Sequence, residues 1–80
     1  MITIQIQYFA VLREQRGESA EKIETAAATA RELYTELKSQ YRFTLSTELV
    51  RVAINQEFKD WDTKIKSGDH VVFIPPVAGG

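Results

Sequence analysis

The residues of this sequence best suited to chemistry are its last six, Pro75-Pro76-Val77-Ala78-Gly79-Gly80. Glycine has no Cβ, so Gly79 and Gly80 can thread a channel too narrow for other residues and set the terminal carboxylate beside a bound nucleotide. The prolines remove two amide donors and hold the backbone extended, so a strand cannot run past Ile74. They also lower the entropy lost when such a tail is ordered in a channel. The plain alternative is a frayed terminus that ends in two glycines by chance. The rest of the chain has to decide between the two.

That remainder offers little conventional catalysis. Cysteine is absent and His70 is the single histidine. Disulfides, thiolate nucleophiles and cysteine metal ligands are therefore excluded, and a lone imidazole builds no metal site. A Ser-His-Asp arrangement would have to use His70, which lies inside a predicted strand. The chain has 80 residues, enough for one domain. A domain of this size buries roughly 60–65% of the surface its unfolded chain exposes, which leaves a modest core and no deep cleft. A module that works with a larger partner fits these limits better than a free-standing enzyme.

Charge narrows the partners. The 10 basic and 11 acidic residues are interspersed and give a net charge of −1. No basic stripe forms, so a phosphate-driven grip on nucleic acid is not expected. No apolar run approaches the length of a membrane span, and no charged lead followed by an apolar stretch opens the chain. The expectation is a soluble, cytoplasmic protein that contacts neither nucleic acid nor membrane.

The elements that must position the tail follow from periodicity. Ile2 to Tyr8 alternates apolar and polar, a half-buried strand with Ile4, Ile6 and Tyr8 inward. Phe9 breaks the pattern, falling on the face of Gln5 and Gln7. Ala10 to Arg16 suits a short helix closed by a left-handed Gly17. Ser19 to Thr25 reads as a second, more exposed strand, and Ala26 to Tyr41 as the main helix. Thr29-Ala30-Arg31-Glu32 matches a capping box, and Ala30, Leu33, Leu37 and Tyr41 then share one face. Phe43 to Glu48 is a connection. Leu49 to Ile54 is a strand with Val50, Val52 and Ile54 on one side, Asn55-Gln56-Glu57 a turn, and Phe58 follows it. Trp61 to Lys66 reads as a short helical turn, Ser67-Gly68-Asp69 as a tight turn, and His70 to Ile74 as the last strand. The continuous apolar run Val71 to Ile74 predicts a central strand covered on both faces.

This order predicts an α+β chain of the β-grasp, ubiquitin-like class. A mixed sheet of about five strands packs on one main helix, with the first and last strands parallel at its centre. Residues 1–75 form the domain and 76–80 a flexible tail. Joined to a proline pair and the last strand of such a fold, the terminal glycines become a strong signal. The chain resembles the small subunit of molybdopterin synthase over essentially its whole length. Tyr8-Phe9-Ala10 with Arg13-Glu14 and Ala53-Ile54-Asn55-Gln56 support the resemblance. The specific segment is Gly68-Asp69-His70-Val71-Val72-Phe73-Ile74-Pro75-Pro76-Val77-Ala78-Gly79-Gly80.

The resemblance implies a sulfur carrier. An activating enzyme of the E1 type uses ATP to adenylate Gly80, so that AMP is transiently attached there, and a sulfur donor protein displaces AMP to leave a thiocarboxylate. The carrier then docks on the large subunit of molybdopterin synthase, in a heterotetramer of two small and two large subunits. Its sulfur passes to cyclic pyranopterin monophosphate in molybdenum cofactor biosynthesis. The resemblance implies no permanently bound cofactor and no metal, and makes the chain a subunit and cosubstrate rather than a catalyst by itself. Gly79 and Gly80 are then the reacting end.

Pro75, Pro76, Val77 and Ala78 then join Phe9, Phe58, Val72 and Ile74 as partner-binding residues. If Val71 and Phe73 point inward, Val72 and Ile74 point outward beside Phe9, and an exposed apolar cluster marks an interaction site; cover by the chain's own helix or loops is the alternative. Arg13 is a weaker candidate for recognition by the activating enzyme, because a surface arginine on a short helix is ordinarily only solvated. Trp61 is read as packing, Asn55 and Gln56 as turn formers, and His70 as a residue at the rim of the sheet. Competing readings are a sulfur carrier of the thiamine pathway, a ubiquitin-like protein modifier, and a β-grasp interaction module with an inert terminus.

Overall fold

Seven elements account for most of the chain in the computed structural model, which describes residues 1–76. They are β1 (Ile2–Tyr8), α1 (Ala10–Arg16), β2 (Ala20–Thr25), α2 (Ala30–Tyr41), β3 (Arg51–Ile54), β4 (Glu57–Lys59) and β5 (His70–Ile74). The strands form one sheet in the order β2-β1-β5-β3-β4. β1 and β5 run parallel at its centre, and every other neighbouring pair is antiparallel. This is the mixed β-grasp sheet that the sequence predicts.

The alternation of β1 sends Ile4, Ile6 and Tyr8 into the core, where Val71 and Phe73 of β5 and Val52 and Ile54 of β3 meet them. α2 covers this face with Ala30, Leu33, Tyr34 and Leu37, all at most 1% exposed. Each such leucine contributes about 2 kcal/mol through loss of apolar surface to water. Tyr34 sits at the centre of an aromatic group, its ring 5.1 Å from Phe73, 5.3 Å from Trp61 and 5.8 Å from Phe43. Its hydroxyl donates to the Leu45 carbonyl at 2.7 Å, so burying the phenol leaves no donor unmet.

Two expectations need correction. The main helix begins at Ala30 rather than Ala26. The Thr29 hydroxyl accepts from the Glu32 amide at 3.2 Å, as a capping box requires, and the Glu32 carboxylate reaches back to the Ala28 amide at 3.0 Å. Trp61 to Lys66 forms no helix. Its carbonyls serve α2 instead: the first-turn amides of Ala30 and Arg31 donate to Thr63 and Trp61 at 3.0 and 2.8 Å. A helix N-terminus always leaves such amides to be satisfied, and an extended strap across it does so here, with Ile65 buried beneath.

Three chain reversals fix the sheet. Gly17 closes α1 at φ 86°, in the left-handed region where glycine carries no steric penalty. Asn55 and Gln56, at φ 53° and 73°, join β3 to β4; positive φ at both central residues is the signature of a type I′ hairpin turn. Gly68, at φ 92°, leads into β5. There Asp69 is buried, with one carboxylate oxygen accepting from the Asn55 side chain at 3.0 Å and the other from the Lys66 amide at 2.7 Å. The Asn55 side-chain oxygen accepts from the His70 amide at 3.0 Å. The two turns at this end of the sheet are thereby locked together.

Candidate functional site

The face of the sheet opposite α2 carries the candidate site. Register partners lie on the same face of a sheet, so its rows can be read directly. Thr3 pairs with Glu24, and Gln5 lies between Lys22 and His70. The next row runs Ala20, Gln7, Val72, Ala53, Phe58 across all five strands. Beyond it Ile74 faces Arg51, and Phe9, one residue past β1, continues the side of Gln7 with extended backbone at φ −127° and ψ 153°. One end of the face is therefore polar. The other, at the C-terminal end of β5, is apolar.

Phe58 is 61% exposed and Phe9 40%. Val72 and Ile74 are half-buried, while Val71 and Phe73 between them are fully buried. The expected cover on both faces of β5 is thus a misreading: the one long helix packs on the inner face, and no element of the described residues packs over Val72 and Ile74. The structure brings Phe9, Phe58, Val72 and Ile74 to one end of one face. Pro75 is buried and Pro76 exposed, directly beyond that end. Val77, Ala78, Gly79 and Gly80 lie outside the described residues.

Arg51 is the functional candidate that sequence reading passed over. Its guanidinium carbon lies 4.8 Å from the centroid of the Phe58 ring, a cation–π distance. Period two had placed Val50, Val52 and Ile54 inward, which by itself puts Arg51 on the outer face beside Ile74. The weaker candidates lie elsewhere or have structural work. Arg13 is exposed on α1. Trp61 packs against Tyr34 and Phe73, with its indole N–H donating to the Thr47 carbonyl at 2.9 Å. His70 is the half-buried first residue of β5.

The strongest electrostatic feature stands apart from this face. Glu21 on β2 accepts from the Tyr8 hydroxyl at 2.6 Å and from Arg16 Nε and Nη2 at 2.9 and 2.8 Å. The Arg16 guanidinium also lies over the Tyr41 ring at 4.1 Å. Burial, followed by the Glu21 contact, pushes the Tyr8 phenol well above its ordinary value. The Arg16 hydrogen bonds hold the Glu21 carboxyl below its usual range against the opposing effect of burial. This cluster ties α1 and the end of α2 to the sheet, which makes it a structural clamp.

Among the described residues no group of acidic or histidine side chains could hold a metal ion, and no helix is long and apolar enough to cross a membrane. What the arrangement offers is an apolar platform beside the start of the tail.

Comparison with known proteins gives a consistent picture. The family model described as the ThiS family matches residues 6–80. The chain is 34% identical to the molybdopterin synthase sulfur carrier subunit of Haemophilus influenzae, over 96% of this chain and 99% of that one. It is 35% identical to the protein of the same name from Mycobacterium tuberculosis, over the full length of both. Among solved structures, the putative molybdopterin converting factor subunit 1 of Pyrococcus furiosus superposes with a TM-score of 0.78 at 30% identity, over 96% of this chain and 100% of that one.

Proposed function

This chain belongs to the ThiS family, and we propose that it is a cytoplasmic sulfur carrier that serves as the small subunit of a molybdopterin synthase. The observation that carries this reading is the position of the apolar rows. They lie at the C-terminal end of β5, from which the sequence runs through Pro75-Pro76 to Gly80. A partner seated on Phe9, Val72, Ile74 and Phe58 receives the tail at its own active site. The names of the full-length relatives favour molybdenum cofactor biosynthesis over the thiamine pathway.

The chemistry explains why so small a protein needs partners. A carboxylate is a poor electrophile, because its charge repels nucleophiles and its leaving group would be oxide. Attack of the Gly80 carboxylate on the α-phosphorus of ATP, with loss of pyrophosphate, gives an acyl-adenylate whose leaving group is AMP. A hydrosulfide equivalent from a donor protein adds to the acyl carbon, AMP departs, and a thiocarboxylate remains. In the synthase that sulfur displaces an oxygen substituent from carbon of the cyclic pyranopterin monophosphate, and water then cleaves the acyl–sulfur bond, leaving the sulfur on the precursor and returning the Gly80 carboxylate. The absence of cysteine supports this route, since no internal thiol of the chain can intercept the activated acyl group.

The reading is tested by complementation. Cells lacking the carrier should regain molybdoenzyme activity with the full chain and not with the chain lacking Gly80. Equal rescue by both would sink it and favour an interaction module with an inert terminus.

A further inference from the structure

We infer that Arg51 makes the docking face charge-selective, so that the partner must present a carboxylate opposite its guanidinium; this rests on reading that face as the synthase-docking surface. β3 lies inside the sheet, with β5 on one side and β4 on the other. Arg51 sits directly across from Ile74 on β5, and its guanidinium leans over Phe58 on β4. A surface that covers both Ile74 and Phe58 therefore covers Arg51 as well. In the rows formed by Ala20, Gln7, Val72, Ala53 and Phe58 and by Ile74, Arg51 is the one charged side chain.

Among the described residues no carboxylate forms an ion pair with that charge: the ion pairs join Arg16 to Glu21, Arg31 to Asp62 and Lys59 to Glu57. Asp60 lines a shallow groove with Arg51, Phe58, Lys59 and Thr63 without forming an ion pair to it. In the free protein water solvates the exposed guanidinium. Docking removes that water, and a desolvated, uncompensated guanidinium is strongly unfavourable. A partner carboxylate offsets the loss with charge-assisted hydrogen bonds that match the guanidinium fork. Stacking on Phe58 holds the group ready for this contact. A neutral or basic surface of the same shape is rejected, which lets one apolar platform discriminate between partners.

The test titrates the full chain into the synthase large subunit encoded in the same genome, by calorimetry at low and at high salt. Arg51→Glu should bind roughly 100-fold more weakly, the loss expected for a buried interfacial charge pair turned repulsive. Arg51→Met, which keeps an apolar stem over Phe58, should bind about 10-fold more weakly and lose most of the salt dependence. A single Asp→Arg or Glu→Arg substitution on the large subunit should restore binding to Arg51→Glu while weakening binding to the wild-type chain. Folded Arg51 variants that bind within about twofold of wild type with an unchanged salt slope, while Phe58→Asp weakens binding about 30-fold or more, would overturn the charge selectivity and leave the docking surface standing. A wild-type chain that does not bind the large subunit overturns the docking surface and this inference with it.

Discussion

Truncating Glu21 to alanine should destabilise the fold by about 2–4 kcal/mol, and the parts of that figure are visible in the structure. Tyr8 is 1% exposed, and Glu21 is the acceptor of its hydroxyl proton. Leaving a buried donor unmet costs about 1–3 kcal/mol. The Arg16–Glu21 pair has side chains 22% and 14% exposed and two bonds shorter than 3 Å. Such a pair lies between the surface case, worth up to about 1 kcal/mol, and the buried case, where removing one partner costs about 3–5 kcal/mol. Total stability for a domain of this length is of order 4–12 kcal/mol, so the loss should be plain in a urea melt followed by far-UV circular dichroism. Tyr8→Phe provides the internal control. In the wild-type background it should cost about 1.5–3 kcal/mol, the value of a hydrogen bond to a charged group. In the Glu21→Ala background it should be neutral or stabilising, because it removes the orphaned hydroxyl. Glu21→Ala within about 0.5 kcal/mol of wild type, or an equal cost of Tyr8→Phe in both backgrounds, would refute the clamp.

Further outcomes follow from the same geometry. Since Glu21 is held below its usual range, its contribution is fully present above the unfolded value of about 4.3 and is lost as pH falls through the folded value; acid titration of stability should be flatter in Glu21→Gln. Burial raises the Tyr34 phenol to about 12, so its contribution holds below the unfolded value of about 10 and declines above it, as the unfolded chain ionises first. Tyr34→Phe should flatten this alkaline limb in the same denaturation assay. Gln56 occupies a left-handed position at φ 73°, and Gln56→Gly should stabilise the hairpin by about 0.5–1 kcal/mol in urea melts. Phe58→Asp on the open face should leave the melt close to wild type, and Ile74→Asp, at a half-buried position of a central strand, should cost about 1–2 kcal/mol; each should weaken large-subunit binding about 30-fold or more, as loss of an interface hot spot does.

Much of the fold was legible because the chain's local signals agree with its tertiary contacts. The alternation of β1 follows the sheet directly, and the parallel pairing of β1 and β5 follows from the order of elements, whereas the unbroken apolar run of β5 misled, because Val72 and Ile74 stand half-buried on the open face. The errors arose where local propensity met a specific hydrogen bond. Ala26, Ala27 and Ala28 are good helix formers, yet the Ala27 amide donates to the Thr25 hydroxyl and the Ala28 carbonyl accepts from Ile65. Trp61 to Lys66 lost its expected helix to the needs of the α2 N-terminus, a demand set by residues some 30 positions away. Phe9 could be singled out because an aromatic residue broke a polar face. The Tyr8–Arg16–Glu21 clamp could not, since it depends on the reversal at Gly17 that brings the end of α1 back over β2. Arg51 was legible by strand period alone, but only the hairpin register places Phe58 beneath it.

The most direct test of the carrier chemistry is the intact mass of the chain after incubation with ATP, its activating enzyme and a sulfur donor. A gain equal to the exchange of one oxygen for sulfur, absent without ATP and absent when Gly80 is deleted, is the result expected of a terminal thiocarboxylate. An unchanged mass with partners shown to be active on another carrier would contradict it.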